Sequence, residues 1–322
     1  MNAMQNASQI QPDQMQPSSA KTNNFRTDIN GLRAWAVVAV VLYHFGVPGF
    51  GGGFVGVDVF FVISGYLMTR IICTGLEREG FQLWQFYLAR GRRIIPALLV
   101  LCGLLLLLGW FMLPPADYSQ LAAEMRSALG FYSNNKFARD AGYFDTASHE
   151  KWLLHTWTLS VEWQFYMLLP LALWLLWRVR PSMRFLLIAC ALAVLASLTW
   201  SIMRTNSQPT EAFYSLATRA WEMLAGGLVF LGMRRISLPS IAAKLAEWTG
   251  FALIVASIVG LSTQTPWPSA WALLPVGGTV LVLVAARSNS LWTANRIAQW
   301  LGTCSYSLYL WHWPVVVALV YM

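Results

Sequence analysis

Nine apolar stretches, each close to the length needed to cross a lipid bilayer, dominate this sequence. They lie near residues 32–48, 54–73, 94–113, 157–177, 185–203, 216–232, 249–263, 269–286 and 303–322. The hydrocarbon core of a bilayer is about 30 Å thick, so a helix needs roughly 20 apolar residues to cross it. Every backbone N–H and C=O group must be satisfied within the membrane, which favours helices for such stretches. The sequence therefore predicts an all-α fold, a polytopic transmembrane bundle of about nine spans.

Composition excludes a soluble protein. Charged residues make up 11% of the chain and apolar residues 57%, whereas a soluble domain carries roughly 25% charged residues. Most of the surface must therefore face the lipid bilayer. The 17 Trp and 11 Tyr are typical of aromatic belts at the membrane interface. The net charge of +8 does not indicate nucleic acid as a partner, because the Lys and Arg residues occur in short clusters between the apolar stretches.

The distribution of Lys and Arg predicts the orientation, since cytoplasmic loops of membrane proteins are enriched in positive charge. With a cytoplasmic N-terminus, sixteen lie inside: Lys21, Arg26, Arg33, Arg70, Arg78, Arg90, Arg92, Arg93, Arg178, Arg180, Arg184, Arg234, Arg235, Lys244, Arg287 and Arg296. Six lie outside: Arg126, Lys136, Arg139, Lys151, Arg204 and Arg219. The reverse orientation inverts this bias, so we expect the N-terminus to be cytoplasmic.

Two segments lie outside the predicted spans. Residues 1–24 are rich in Gln, Asn, Ser and Met and lack an apolar core, so we expect a disordered cytoplasmic tail ahead of a membrane domain over 25–322. Residues 114–156 form a long external loop, in which 121–133 are too polar to span and are predicted to form an amphipathic or re-entrant helix.

The four cysteines do not indicate a metal site. No pair has CxxC or other metal-binding spacing, and we expect buried, reduced thiols at Cys73, Cys102, Cys190 and Cys304.

The first predicted span carries two ionisable residues, which are costly in a membrane and so suggest function. Arg33 and His44 are eleven residues apart, about 16 Å and three turns along a helix, so they face the same side. This pattern suits a long anionic cofactor that enters from the cytoplasm. Arg33 would bind its phosphates and His44 would act as a general base at its reactive end. The alternative is that Arg33 only marks topology and His44 hydrogen-bonds within the bundle.

The second span opens with a glycine-rich segment and carries Asp58, Ser64 and Tyr66. Glycines permit irregular backbone at membrane depth where protein or a cavity surrounds it. Asp58 has two interpretations: it orients or pairs with a histidine on the outer side, or it caps the start of its helix.

The fourth span begins with a dense set of polar and aromatic residues, namely His155, Trp157, Ser160, Glu162, Gln164 and Tyr166. Glu162 and Tyr166 are four apart and share a helix face. A single carboxylate could be a structural partner for a buried arginine, but six such groups are harder to explain by packing.

Three further residues are predicted to be structural. Arg219 and Glu222 are three apart and are expected to form an ion pair within one helix. His312 stands between Trp311 and Trp313, where packing or an interfacial role is expected.

Six segments, in this order along residues 26 to 322, make the chain resemble the acyltransferase type three family of integral-membrane enzymes. They are RTDINGLRAWAVVAVVLYHF, GFVGVDVFFVISGYLMT, FYLARGRRIIPALL, LLHTWTLSVEWQFYMLLP, RAWEMLAGGL and LGTCSYSLYLWHWP. The resemblance implies a multi-pass protein of the bacterial inner membrane that O-acylates surface polysaccharides. The donor would be acyl-CoA, most simply acetyl-CoA, used as a substrate with no bound cofactor. The acceptor would be a glycan or lipid-linked glycan such as O-antigen or exopolysaccharide.

The resemblance also implies residue roles. The family's Arg/Lys-x10-His element falls on Arg33 and His44, and its acidic position in the fourth span falls on Glu162. We expect His44, Glu162 and Asp58 to be catalytic. The residues expected to bind acyl-CoA are Arg33, Arg90, Arg92 and Arg93.

The chain departs from the family pattern in two respects. We expect nine spans and no tenth, and no SGNH-hydrolase-like domain within residues 1–322, although the stretch from Tyr143 resembles the subfamily fused to one. A separate periplasmic SGNH-like partner is therefore one expectation, and a C-terminally incomplete, inactive remnant is another. A carrier or flippase for a lipid-linked sugar or small metabolite is the alternative function, since buried charges also line substrate paths.

Overall fold

The computed structural model describes residues 25–140, 150–234 and 238–321, and within them all regular structure is helical. The predicted tail, residues 1–24, lies outside these ranges. The helices are α1 (Thr27–His44), α2 (Gly56–Glu77), α3 (Leu83–Met112), α4 (Pro115–Leu129), α5 (Ser133–Asp140), α6 (Trp157–Val179), α7 (Met183–Ser207), α8 (Pro209–Tyr214), α9 (Leu216–Gly232), α10 (Ser240–Gly260), α11 (Leu273–Ala285) and α12 (Arg296–Tyr321). The all-α prediction is confirmed.

Long apolar helices confirm a multi-pass membrane protein. Five segments of the described chain have the length and hydropathy to cross a membrane: Gly53–Glu77, Leu83–Met112, Leu154–Val179, Met183–Ser207 and Ser240–Gly260. Ala270–Ala285 is apolar but shorter. Helix α9 has only 17 residues, and α1 and α12 carry polar and charged residues, among them Arg33, His44 and His312. The count of nine spans and the cytoplasmic N-terminus stay predictions.

Helix α3 begins eleven residues before the predicted span at 94–113. It starts at Leu83 and is 30 residues long, which at about 1.5 Å per residue exceeds the thickness of a bilayer core. Its first turns can therefore project beyond the hydrocarbon, where arginines are tolerated. The basic block lies on this helix, and not in a loop as the span boundary implied.

Two helices lie in the described part of the predicted external loop, residues 114–156. Helix α4 packs on α3, while α5 packs on α6. Polar contacts hold α5 to α6: the Ser133 hydroxyl lies 2.7 Å from Ser160, and Gln164 donates to the Asn134 side chain at 2.9 Å. These two residues of α6, Ser160 and Gln164, therefore anchor α5.

Glycines let two parallel helix pairs approach backbone to backbone, as is common between membrane helices. A Cβ atom at Gly65 of α2 would lie 1.7 Å from the Met223 carbonyl oxygen of α9. A Cβ atom at Gly302 of α12 would lie 2.0 Å from the Asn30 carbonyl oxygen of α1. These contacts fix the register of α2 on α9 and of α1 on α12, and the functional side chains lie on these four helices and on α3 and α6.

Buried thiols complete the packing. Cys73, Cys102 and Cys190 are buried, as the sequence predicts, and Cys304 is half-buried.

Candidate active site

We call the side of the bundle where α1 begins the inner side and the side where α1 ends the outer side. An inner cavity lies among α1, α2, α3, α6 and α12. Its charged lining consists of Arg33, Arg90, Arg93 and Glu162. It encloses about 90 Å³. Arg93 is exposed as well as lining the cavity, so it marks the opening. Arg92 is exposed and does not line the cavity.

Glu162 is the acidic group of the inner cavity. Tyr166 lies one turn further along α6 and donates its hydroxyl to the Glu162 carboxylate, and its oxygen lies 3.0 Å from the Ser64 hydroxyl oxygen. Ser64 in turn donates to the same carboxylate oxygen. The shared face of Glu162 and Tyr166 predicted from their spacing is therefore present, and Ser64 joins it from α2. The carboxylate also interacts with the charge of Arg33.

A larger outer cavity of about 860 Å³ lies at the other end of the bundle. Its polar lining includes His44, His155 and Arg219. Its aromatic lining includes Tyr43, Phe54, Trp157, Phe213, Tyr214 and Trp267. The aromatic walls and few polar groups are typical of small-molecule sites.

Tyr309 and Val57 line both cavities and form the partition between them. The Tyr309 hydroxyl shares a hydrogen bond of 2.7 Å with Thr158 and donates to the His155 carbonyl oxygen at 3.1 Å. Arg33 and His44 belong to one helix, yet each reaches a different cavity. The two cavities therefore approach one another from opposite sides, with Tyr309 and Val57 between them.

Histidines from three parts of the chain meet at the outer cavity. The Nε2 atom of His312 lies 3.1 Å from Nδ1 of His44. The ring of His155 is centred 5.8 Å from that of His312. His155 is 4% exposed, and neither of its ring nitrogens makes a well-aligned hydrogen bond among the described residues. His312 was expected to have a packing or interfacial role, and α12, which runs parallel to α1, also brings its ring beside that of His44.

Among the described residues Asp58 pairs with an arginine and with no histidine, and it lies in the first turn of α2, as the capping interpretation requires. Its carboxylate lies 3.2 Å from the Arg219 guanidinium, which lies 3.2 Å from Glu222 on the same turn of α9. All three residues are at most 1% exposed. The close approach of α2 and α9 turns Asp58 toward Arg219 and away from the histidines. Arg219 also lies 5.4 Å above the ring of Phe61. This buried triad joins α2 to α9.

Tyr66 and Trp157 have separate roles. The Tyr66 hydroxyl accepts a hydrogen bond from Arg26 at 2.8 Å, ahead of α1, and lies outside the inner cavity. Trp157 forms part of the wall of the outer cavity and lies 5.8 Å below the Arg219 guanidinium.

Glu124 of α4 supports the segment that leads into His155. Its carboxylate accepts a hydrogen bond of 2.9 Å from the Leu153 backbone N–H. Burial raises the pKa of Glu124 to about 7, although that hydrogen bond and the charges of Lys136 and Lys151 oppose the shift.

The sequence reasoning did not select Tyr309 or Thr158. One signal for Tyr309 was available, because it precedes His312 by three residues on a predicted helix and so shares its face. Thr158 gave no comparable signal, because its role depends on contact with α12.

The acyltransferase domain family matches residues 26–322 of this chain. The chain belongs to this family, the acyltransferase type three enzymes. It is 33% identical over 308 residues to the putative membrane-bound transacylase BcsY of Komagataeibacter xylinus, covering 93% of this chain and 75% of BcsY. It is 31% identical over 319 residues to the peptidoglycan O-acetyltransferase OatA of Listeria monocytogenes, covering 94% of this chain and 51% of OatA.

The putative peptidoglycan O-acetyltransferase YrhL of Bacillus subtilis is 30% identical over 307 residues, covering 90% of this chain and 48% of YrhL. The chain thus spans about half the length of OatA and YrhL. No solved structure matches the chain. The chain is therefore a multi-pass membrane protein of the acyltransferase type three family.

Proposed function

We propose that this chain transfers an acyl group, most simply acetyl, from acyl-CoA in the inner cavity to a hydroxyl of a cell-surface glycan in the outer cavity. In this proposal the inner side is the cytoplasmic side of a bacterial inner membrane. The observation that carries the proposal is the pair of opposed cavities, one lined by arginines and one by histidines, that approach each other at Tyr309 and Val57.

The charge of the inner cavity supports acyl-CoA as the donor. Arg33, Arg90 and Arg93 face a single carboxylate, Glu162, so the cavity has a net positive charge. Guanidinium groups bind phosphates with paired hydrogen bonds. A space of about 90 Å³ is too small for a nucleotide but admits a narrow chain. We therefore place the pantetheine arm and the thioester inside the cavity and the phosphates at its opening, beside the exposed Arg92 and Arg93.

The shape and lining of the outer cavity support a sugar as the acceptor. Its volume of about 860 Å³ lies in the range of small-molecule sites. Aromatic rings present flat apolar faces on which the C–H face of a sugar ring can pack. The two ring nitrogens of His155 can exchange hydrogen bonds with hydroxyl groups. The names of OatA and YrhL refer to peptidoglycan, and O-antigen and exopolysaccharide are acceptors of the same chemical kind.

His44 is the group placed to carry out the chemistry. Its imidazole accepts the proton of the acceptor hydroxyl while the oxygen attacks the thioester carbon. The new C–O bond forms, the C–S bond breaks, and the thiolate takes the proton from His44 to leave as CoA-SH. A second route forms an acyl-His44 intermediate first, which the acceptor hydroxyl then attacks. Both routes need the thioester to pass the partition at Tyr309.

Release of CoA-SH by purified protein in liposomes tests this proposal. We expect release from acetyl-CoA to depend on a glycan acceptor and to be lost in His44→Ala. Arg33→Gln should raise the KM for acetyl-CoA. Arg126→Gln removes an exposed arginine of α4 and serves as the matched charge control, with wild-type kinetics expected. Full activity of His44→Ala would contradict the assignment.

A carrier or flippase would also use cavities on opposite sides of the bundle, so the same liposomes should be tested for glycan transport. Transport without any consumption of acetyl-CoA would favour the carrier. Loss of both activities in well-folded protein would indicate an inactive remnant. Consumption of acetyl-CoA with acylation of the glycan would support the transferase.

A further inference from the structure

His44 and His312 are brought together by the packing of α1 against α12. At the inner end of this pair the two backbones touch at Gly302 and Asn30. The Asn30 side chain also donates a hydrogen bond to the Gln299 carbonyl oxygen at 2.8 Å. These contacts fix the register of the two helices, and the rings meet at the outer end with their centres 5.1 Å apart. The contact therefore belongs to the architecture of the bundle.

The partners of His312 determine where its proton lies. Its Nδ1 atom lies 2.6 Å from the Tyr309 carbonyl oxygen. A carbonyl oxygen can only accept, so Nδ1 carries the hydrogen. A neutral imidazole has one N–H group, so Nε2 of His312 has a lone pair and accepts. The doubly protonated ring is disfavoured, because His312 is 6% exposed and forms no ion pair with a carboxylate among the described residues.

The same logic fixes the tautomer of His44. Its Nδ1 atom lies 3.1 Å from the accepting Nε2 of His312, so Nδ1 of His44 must donate and carries the hydrogen. In the neutral ring the lone pair is then on Nε2. The ring of His44 is also held from the side by Trp313, at a centre-to-centre distance of 4.9 Å. Helix α12 thus contributes to both the position and the tautomer of His44.

We propose that His312 is a positioning residue that holds His44 as the Nδ1–H tautomer, so that Nε2 is the atom that takes the proton of the acceptor hydroxyl. This inference rests on the proposed function. When Nε2 gains the proton, the ring becomes a cation and its Nδ1–H donates a charge-assisted hydrogen bond to His312. In the Ser-His-Asp triad a carboxylate accepts this hydrogen bond, and here a neutral imidazole accepts it. If the acyl-His44 route operates, the acyl group is carried on the same Nε2 atom.

Two substitutions at His312 separate positioning from packing. His312→Phe keeps an aromatic ring but removes the acceptor, so we expect kcat to fall by at least about tenfold with the KM for acetyl-CoA unchanged. His312→Gln places a carbonyl oxygen within reach of Nδ1 of His44 and should recover most of kcat. An equal loss of kcat in His312→Phe and His312→Gln, or a change confined to the KM for acetyl-CoA, would overturn the proposal.

Gln299→Leu is the matched structural control. It removes hydrogen bonds between α1 and α12 at their inner end, where Gln299 donates to the Thr27 carbonyl oxygen at 2.8 Å. A purely structural role of His312 predicts that the activity of Gln299→Leu and His312→Phe falls only with the amount of folded protein. The positioning role predicts a lower kcat per folded molecule in His312→Phe alone.

Solid-state ¹⁵N NMR of histidine-labelled protein tests the tautomers without any activity. Comparison with His44→Gln and His312→Gln assigns the two rings. We expect protonated Nδ1 in both His44 and His312, and a larger share of protonated Nε2 in His44 of the His312→Phe variant. Protonated Nε2 in His44 of the wild type would overturn the proposal. Since this readout needs no substrate, its failure is distinguishable from failure of the transferase function.

Discussion

Glu124 gives the folded chain a pH-dependent stability that one substitution should remove. It lies on α4, outside the predicted spans, and is 1% exposed. Burial raises the pKa of its carboxyl group from 4.5 to about 7. Between pH 4.5 and about pH 7, Glu124 keeps its proton in the folded chain and releases it in the unfolded chain. The free energy of unfolding therefore falls as the pH rises through this window.

The size of this change in the free energy of unfolding follows from the difference between the two pKa values of Glu124, 4.5 in the unfolded chain and about 7 in the folded chain. Each pKa unit corresponds to about 1.4 kcal/mol, so the full change is about 3 kcal/mol. Glu124 makes its full contribution to the free energy of unfolding below pH 4.5 and none above about pH 7. In a chain of this size it should lower Tm by several degrees.

Glu124→Gln keeps an oxygen that can accept from the Leu153 N–H but cannot ionise. We would follow thermal unfolding by tryptophan fluorescence in detergent between pH 4.5 and 8.5. The Tm of the wild type should fall more steeply with pH than that of the variant. Glu211→Gln changes a side chain that is 54% exposed and should keep the wild-type slope. Equal slopes in the wild type and Glu124→Gln would refute the reasoning.

Three further substitutions test the bundle and the donor site. Gly65→Ala should cost several kcal/mol, measured as a lower Tm, because its Cβ would meet the α9 backbone at 1.7 Å; Gly103→Ala, with open space around it, should not. Arg219→Gln leaves two buried carboxylates unpaired and should cost about 3–5 kcal/mol in the same assay. In steady-state kinetics, Arg33→Gln should raise the KM for acetyl-CoA about tenfold or more, equivalent to about 1.4 kcal/mol. Arg126→Gln should leave this KM unchanged. An unchanged KM in Arg33→Gln as well would exclude Arg33 from the donor site.

Features set by local periodicity could be predicted from the sequence. The eleven-residue spacing selected Arg33 and His44, and the four-residue spacing put Glu162 and Tyr166 on one face. Both follow from helix geometry alone, without knowledge of neighbouring helices. Apolar length likewise predicted the all-α membrane fold. The predicted start of the third span, at residue 94, lies inside helix α3. The charged block of Arg90 to Arg93 interrupts the apolar stretch but not the helix, which begins at Leu83.

Features that depend on contacts between helices could not be predicted. For Asp58 the sequence left a histidine contact and a helix cap open, and the contact between α2 and α9 gives it Arg219 as a partner. His312 was assigned a packing or interfacial role because it stands between Trp311 and Trp313, while its hydrogen-bond partner is His44, 268 positions earlier in the chain. The partition at Tyr309 has the same origin, since it exists only where α12 meets α2 and α6.

Acyl transfer across a sealed membrane is the most direct test of the proposal that donor and acceptor bind on opposite sides of the bundle. Labelled acetyl-CoA is supplied only on the inner side of oriented proteoliposomes and the glycan only on the outer side, where the histidine cavity opens. We expect labelled glycan on the outer side with the wild type and none with His44→Ala or with acetyl-CoA supplied only outside. Labelling that requires donor and acceptor on the same side, or that persists in His44→Ala, would contradict it.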